Sequence, residues 1–115
     1  MNVWVVCMTE MEADIYNSQD LGKGVSCVTH LQESGSELGF KRLAGTIADE
    51  MDYACGEGTW GRLILSGSPD VLSRLCQHLS DEVRQRIIGI IPANLCGGRP
   101  DEICSRCKPF LKLAA

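Results

Sequence analysis

Aromatic residues are scarce in this chain: two Trp, two Tyr and two Phe among 115 residues, or 5%. A core must therefore be built mainly from Leu, Ile, Val, Ala, Met and Cys. No apolar run approaches the ~20 residues that a membrane-spanning helix needs. The opening stretch MNVWVVCMTE has no basic residue ahead of its apolar run, so an ordinary secretory signal is not expected. At 44%, the hydrophobic content is too high for intrinsic disorder, and a net charge of −4 is too modest. These absences leave a small, soluble, cytoplasmic protein with no membrane role. Its length suits one α/β domain spanning residues 1–115.

Cysteine, by contrast, is abundant. Seven cysteines, an odd number with no export signal ahead of them, point to a reducing compartment and free thiols. Cys7, Cys27, Cys55 and Cys76 each lie in apolar stretches, where cysteine acts as a small hydrophobe. Charge is unevenly spread. Residues 1–59 carry −7 and residues 60–115 carry +3. Such a chain can present two faces of opposite field.

The pattern along the chain changes period once. Asn2–Met8 is a nearly continuous apolar run, as expected of a strand covered on both faces. Ala13–Asn17 can return beside it, and residues 17–24 are loop chemistry. Val25–Leu31 alternates, with Val25, Cys27 and Leu31 expected inward and Ser26 and His30 outward. From Leu38 the apolar residues Phe40, Leu43, Ala44, Ile47, Ala48, Met51 and Ala54 draw one helical stripe. Arg62–Leu65 reads as a buried strand. Ser68, Pro69 and Asp70 then form a strong helix start. Ser80-Asp81-Glu82 caps a short helical turn, and Ile87–Ile91 is a fifth strand. Pro100-Asp101-Glu102 opens a last helix, which Pro109 should end or kink. The order is strand, strand, strand, helix, strand, helix, strand, helix. It predicts a five-stranded mixed sheet of ribonuclease-H-like arrangement, with an antiparallel meander followed by two parallel strands.

The segment from Trp60 to Ile103 carries a more specific pattern. Leu63-Ile64-Leu65 is followed by Pro69, Leu72 and Leu75. Leu79-Ser80, Val83-Arg84, Asn94-Leu95 and Pro100-Asp101-Glu102-Ile103 continue it. This resembles the bacterial host-attachment protein family, relatives of the middle domain of archaeal and eukaryotic peptide-release factors. The motifs are packing and capping residues, so they bear on fold first. The resemblance implies a binding module that contacts the ribosome or structured RNA. Two features depart from it. The longer insert usual between the third strand and the long helix is reduced here to Gln32–Glu37. The Gly-Gly-Gln tripeptide of release factors is missing, and Gly97-Gly98-Arg99 is the nearest string, placed where a helix break wants glycine anyway.

Catalytic readings are weaker than binding ones. A two-metal nuclease on such a sheet normally has an acid in the middle of its first strand. Val3–Met8 has none, and Glu10, Asp49, Glu50 and Asp70 are the only replacements. Cys104 and Cys107 are the one paired-thiol spacing. Cys96, with Cys76 or His78, could complete a zinc site, but core packing explains the pair better. His30 and His78 have no evident partner and read as surface residues. No cofactor or metal is implied, and no catalytic residue is assigned.

Two binding surfaces are expected instead. Arg62, Arg84, Arg86 and Arg99 lie in the C-terminal half and suit phosphate contacts with RNA. Alternatively, Asp49, Glu50 and Asp52 would form an acidic face that docks on, and inhibits, a basic nucleic-acid-handling protein. An exposed apolar sheet edge would further support a homodimer.

Overall fold

The computed structural model describes residues 2–19 and 24–114. Residues 20–23 of the expected 17–24 loop lie outside the described residues. The elements are β1 (Val3–Met8), β2 (Glu12–Ser18), β3 (Ser26–Gln32), α1 (Glu37–Gly56) and β4 (Arg62–Ser66). They continue with α2 (Pro69–Cys76), α3 (Asp81–Arg84), β5 (Ile87–Ile91) and α4 (Pro100–Ala114). One mixed sheet has the order β3-β2-β1-β4-β5. β1 pairs antiparallel with β2 and parallel with β4, and β4 pairs parallel with β5.

β1 is central, which explains its unbroken apolar run. Trp4, Val6 and Met8 point into a cluster with α1, α2 and α3, while Val3, Val5 and Cys7 point into a second cluster under α4. All six β1 residues are buried. The α1 stripe packs as its spacing requires, with Phe40, Leu43, Ala44, Ile47, Ala48, Met51 and Ala54 all buried. Ser36 caps α1 by accepting from the Gly39 amide. Ser68 and Ser80 cap α2 and α3 in the same way. Each supplies an oxygen to an amide that the first helical turn would leave unpaired. The two tryptophans stack with centroids 5.9 Å apart. Their indole N–H groups donate to Asn17 Oδ1 and the Met51 carbonyl, so neither ring buries an unpaired donor.

Both edge strands are irregular. In β3 the register passes from Ile15↔Thr29 to Tyr16↔Cys27, which leaves Val28 as an extra residue. In β5 it passes from Leu63↔Ile87 to Ile64↔Gly89, which leaves Ile88 extra. Such bulges blunt exposed edges. The β3 bulge corrects one expectation. It shifts the strand's parity, so Cys27 is exposed rather than inward and Val28 is 45% exposed. Pro109 does not end the helix, because α4 runs on through it to Ala114. Pro109 and Ser105, whose carbonyl the missing N–H would have met, are both exposed, so water can satisfy that carbonyl. Among the described residues, no helix is long and apolar enough to cross a membrane.

Candidate functional site

The most organised polar group in the molecule centres on Asp14, which is 3% exposed in the middle of β2. The β2–β3 register sets Asp14 opposite His30, and the β1–β2 register sets it beside Cys7. The His30 ring Nδ1 bonds to Asp14 Oδ1. Oδ2 accepts from the Tyr16 hydroxyl at 3.2 Å and from the Gly97 amide at 3.0 Å. Gly97 adopts φ +70°, which favours glycine and lets the connection between β5 and α4 turn its amide onto the carboxylate. One buried carboxylate thus ties together β2, the edge strand β3 and the connection leading into α4. Its burial is sustained by three donors, one of them able to carry positive charge.

The electrostatics follow from this geometry. The hydrogen bond to Asp14, with its charge second, raises the His30 imidazole above its ordinary value. Burial, then the neighbouring Asp14 charge, pushes the Tyr16 phenol up. Burial, aided by Asp14 and Glu12, pushes the Cys96 thiol up to about 12. His30 keeps about half its side chain in solvent and can exchange protons. The pair can take up and release a proton while the carboxylate stays fixed.

Strand alternation alone places His30 outward without a partner and does not single out Asp14. One signal in the chain points to the pair. Asp14 is a lone carboxylate inside the apolar run Ala13–Tyr16, where a charge demands a partner. Naming that partner requires the bulged register.

The basic residues divide between the two ends of the sheet. Arg62 opens β4, and the Leu63 amide bonds the Arg86 carbonyl just ahead of β5. Arg62 and Arg86 therefore stand side by side in the backbone where the parallel strands begin, and Arg84 ends α3 two residues before Arg86. Arg84 pairs with Asp81 and Arg86 with Glu82 at 3.4 Å. No ion pair of Arg62 occurs among the described residues. Arg99 follows Gly97 at the opposite end of the strands, exposed and 3.8 Å from Asp101. The four arginines thus do not share one surface. The three acids divide too. Glu50 accepts from Thr29 of β3, Asp52 accepts from Ser80 ahead of α3, and Asp49 is exposed between them. Glu50 and Asp52 occupy opposite flanks of α1, since two residues along a helix turn about 200°.

Cys104 and Cys107 are buried in the cluster under α4 with Ile103, and burial pushes Cys107 up to about 12. Cys96 packs on that same cluster, whereas Cys76 packs on the other side of the sheet and His78 is exposed beyond α2. The sheet therefore separates the residues that would have completed a zinc site. Among the described residues, no group of three or more His, Cys, Asp or Glu is placed to hold a metal ion. Of the acids weighed for a nuclease, Glu10 and Asp70 both pair with Arg74, at 3.5 and 3.1 Å. The Arg74 guanidinium stacks over Phe40.

Residues 32–106 match the profile of the family described as Bacterial archaeo-eukaryotic release factor family 12. No curated protein sequence matches the chain. Among solved structures it is similar to an archaeal translation termination factor, with a TM-score of 0.63 and 10% identity, over 77% of this chain and 29% of that one. It is also similar to an archaeal protein, with a TM-score of 0.62 and 11% identity, over 97% of this chain and 39% of that one. At such identities the likeness is one of fold. The chain spans well under two-thirds of the length of either.

Proposed function

The chain belongs to bacterial archaeo-eukaryotic release factor family 12, and from that membership we propose that it is a non-catalytic binding module that contacts the ribosome or structured RNA. The observation that supports this reading is the placement of Arg62 and Arg86 side by side where β4 and β5 begin, with Arg84 just ahead at the end of α3. Guanidinium groups grip phosphate oxygens in pairs, and an A-form or looped RNA presents phosphates at a spacing that neighbouring arginines can span. The acids paired with Arg84 and Arg86 lie three and four residues away on the same short segment, and phosphate can displace such exposed pairs at little cost. Arg99 would make a separate contact at the far end.

The same proposal takes the sheet order β3-β2-β1-β4-β5 as a ribonuclease-H-like arrangement within one domain. It also takes in kinship with host-attachment proteins and a cytoplasmic location. Affinity purification from the native host, analysed for both RNA and protein, tests it. Ribosomal RNA with ribosomal proteins is the expected return, lost on changing Arg84 and Arg86 to Glu. A single basic enzyme, lost on changing Asp49, Glu50 and Asp52 to Lys, overturns the reading in favour of an acidic inhibitor.

A further inference from the structure

We propose that Asp14 and His30 form a proton-linked clasp that holds the edge strand β3, together with the connection at residues 96–98, onto the sheet, and that the clasp loosens when His30 gives up its proton. Little else holds β3 to the sheet. None of its seven residues is buried. Its ladder to β2 is broken by the Val28 bulge. Besides that ladder, its side-chain ties among the described residues are the Thr29 bond to Glu50 at 3.1 Å, a long Ser26 bond to the Asn17 carbonyl at 3.5 Å, the partial burial of Leu31 and the His30 bond to Asp14. A strand with so few apolar contacts opens far more easily than the core it borders. The Asp14 carboxylate is the opposite case, buried and joined to three elements. A buried carboxylate that loses its counter-charge is strongly destabilised.

The groups that face this pair are Glu12 and Tyr16 on β2, Cys7 on β1 and Cys96 in the connection, with Cys27 of β3 beside Tyr16. Burial and the Asp14 charge hold the Tyr16, Cys7 and Cys96 protons well into the alkaline range. Between mildly acidic and mildly alkaline pH those three keep their protons, while the half-exposed His30 imidazole changes charge. Its folded value lies above its unfolded one. The stabilisation is thus complete below the ordinary imidazole value and disappears as pH rises through the folded value. Because Asp14 also holds the Gly97 amide, loosening reaches the connection into α4 as well as β3.

The test reads amide protection residue by residue at pH 6 and pH 9, corrected for intrinsic exchange, together with the NMR titration of the His30 ring. In the unaltered protein, protection over Ser26–Gln32 and residues 96–98 should fall relative to α1 between the two pH values, because the closed strand holds the His30 proton more tightly than the opened one. His30→Lys, which keeps its charge at pH 9, should hold protection constant. His30→Gln should show the lower protection at both pH values. Asp14→Asn keeps an acceptor for Gly97 and should return the His30 titration toward its ordinary value. A His30 ring that titrates as a free histidine, or β3 protection that follows α1 at both pH values, overturns the clasp.

Discussion

The Gly97 amide donates to Asp14 Oδ2 at 3.0 Å, although 83 residues separate the two in the chain. Gly97 reaches the carboxylate only because its backbone takes φ +70°. Removing the carboxylate leaves the buried Tyr16 hydroxyl without its partner and frees the His30 ring and the Gly97 amide, both on exposed residues. Asp14→Ala should therefore cost about 3 kcal/mol, at the upper end for a lost charged hydrogen-bond hub. Asp14→Asn, which can still accept from Gly97, should cost less than half of that. Urea denaturation of the two variants measures both, and equal midpoints would show that the Gly97 contact carries no weight.

Two glycines separate steric cost from backbone freedom. A Cβ on Gly67 would meet the Met8 carbonyl oxygen at 2.6 Å, and that oxygen belongs to the central strand and cannot give. A Cβ on Gly89 would meet the Phe110 ring at 2.3 Å, which is closer, but Phe110 is a half-buried side chain on α4. Overpacking costs roughly 1–3 kcal/mol, depending on how far the neighbours can move. Gly67→Ala should fall at the top of that range in any background. Gly89→Ala should become nearly neutral once Phe110→Ala has been made. A double-mutant cycle on thermal or urea unfolding decides this.

Thiol reactivity follows burial. Cys27 is exposed, while Cys7, Cys96 and Cys107 are raised by burial, the last two to about 12. The thiolate is the reacting form, so at pH 8 those three are almost wholly unreactive. An aromatic disulfide reagent added to the native protein should show a single fast phase. Cys27→Ser should remove it, and raising the pH to 9 should leave the slow thiols slow. The same reagent in denaturant should titrate all seven cysteines.

Much of the fold was legible in the chain. The Ser68-Pro69-Asp70 start, the α1 stripe and the Ile87–Ile91 strand each follow from local spacing and capping, where a few neighbouring residues decide the outcome. The continuous run in β1 announced burial on both faces. The Asp14 cluster was not legible, because its partners come from three distant segments and their meeting depends on strand register. The Val28 bulge is the clearest case. One extra residue turns Cys27 out to solvent and brings His30 onto Asp14, and no alternation rule reveals an insertion of that kind. The division of the arginines between the two ends of the sheet was hidden for the same reason. Arg99 is near Arg86 in sequence, but β5 runs between them and carries Arg99 to the far side. Pro109 does not stop α4 because a local rule about helix interiors yields where the freed carbonyl faces water.

The central claim is that arginines at the start of β4 and β5 bind phosphates of ribosomal or structured RNA. Co-sedimentation of the purified chain with ribosomes across a salt series tests it most directly. With three such contacts, the logarithm of the binding constant should fall against the logarithm of salt with a slope of roughly 2 to 3. The variant R62E/R84E/R86E, with an unchanged circular dichroism spectrum, should remain in the supernatant at every salt concentration. Pelleting of that variant like the unaltered chain, or failure of the unaltered chain to pellet even at low salt, would contradict the account.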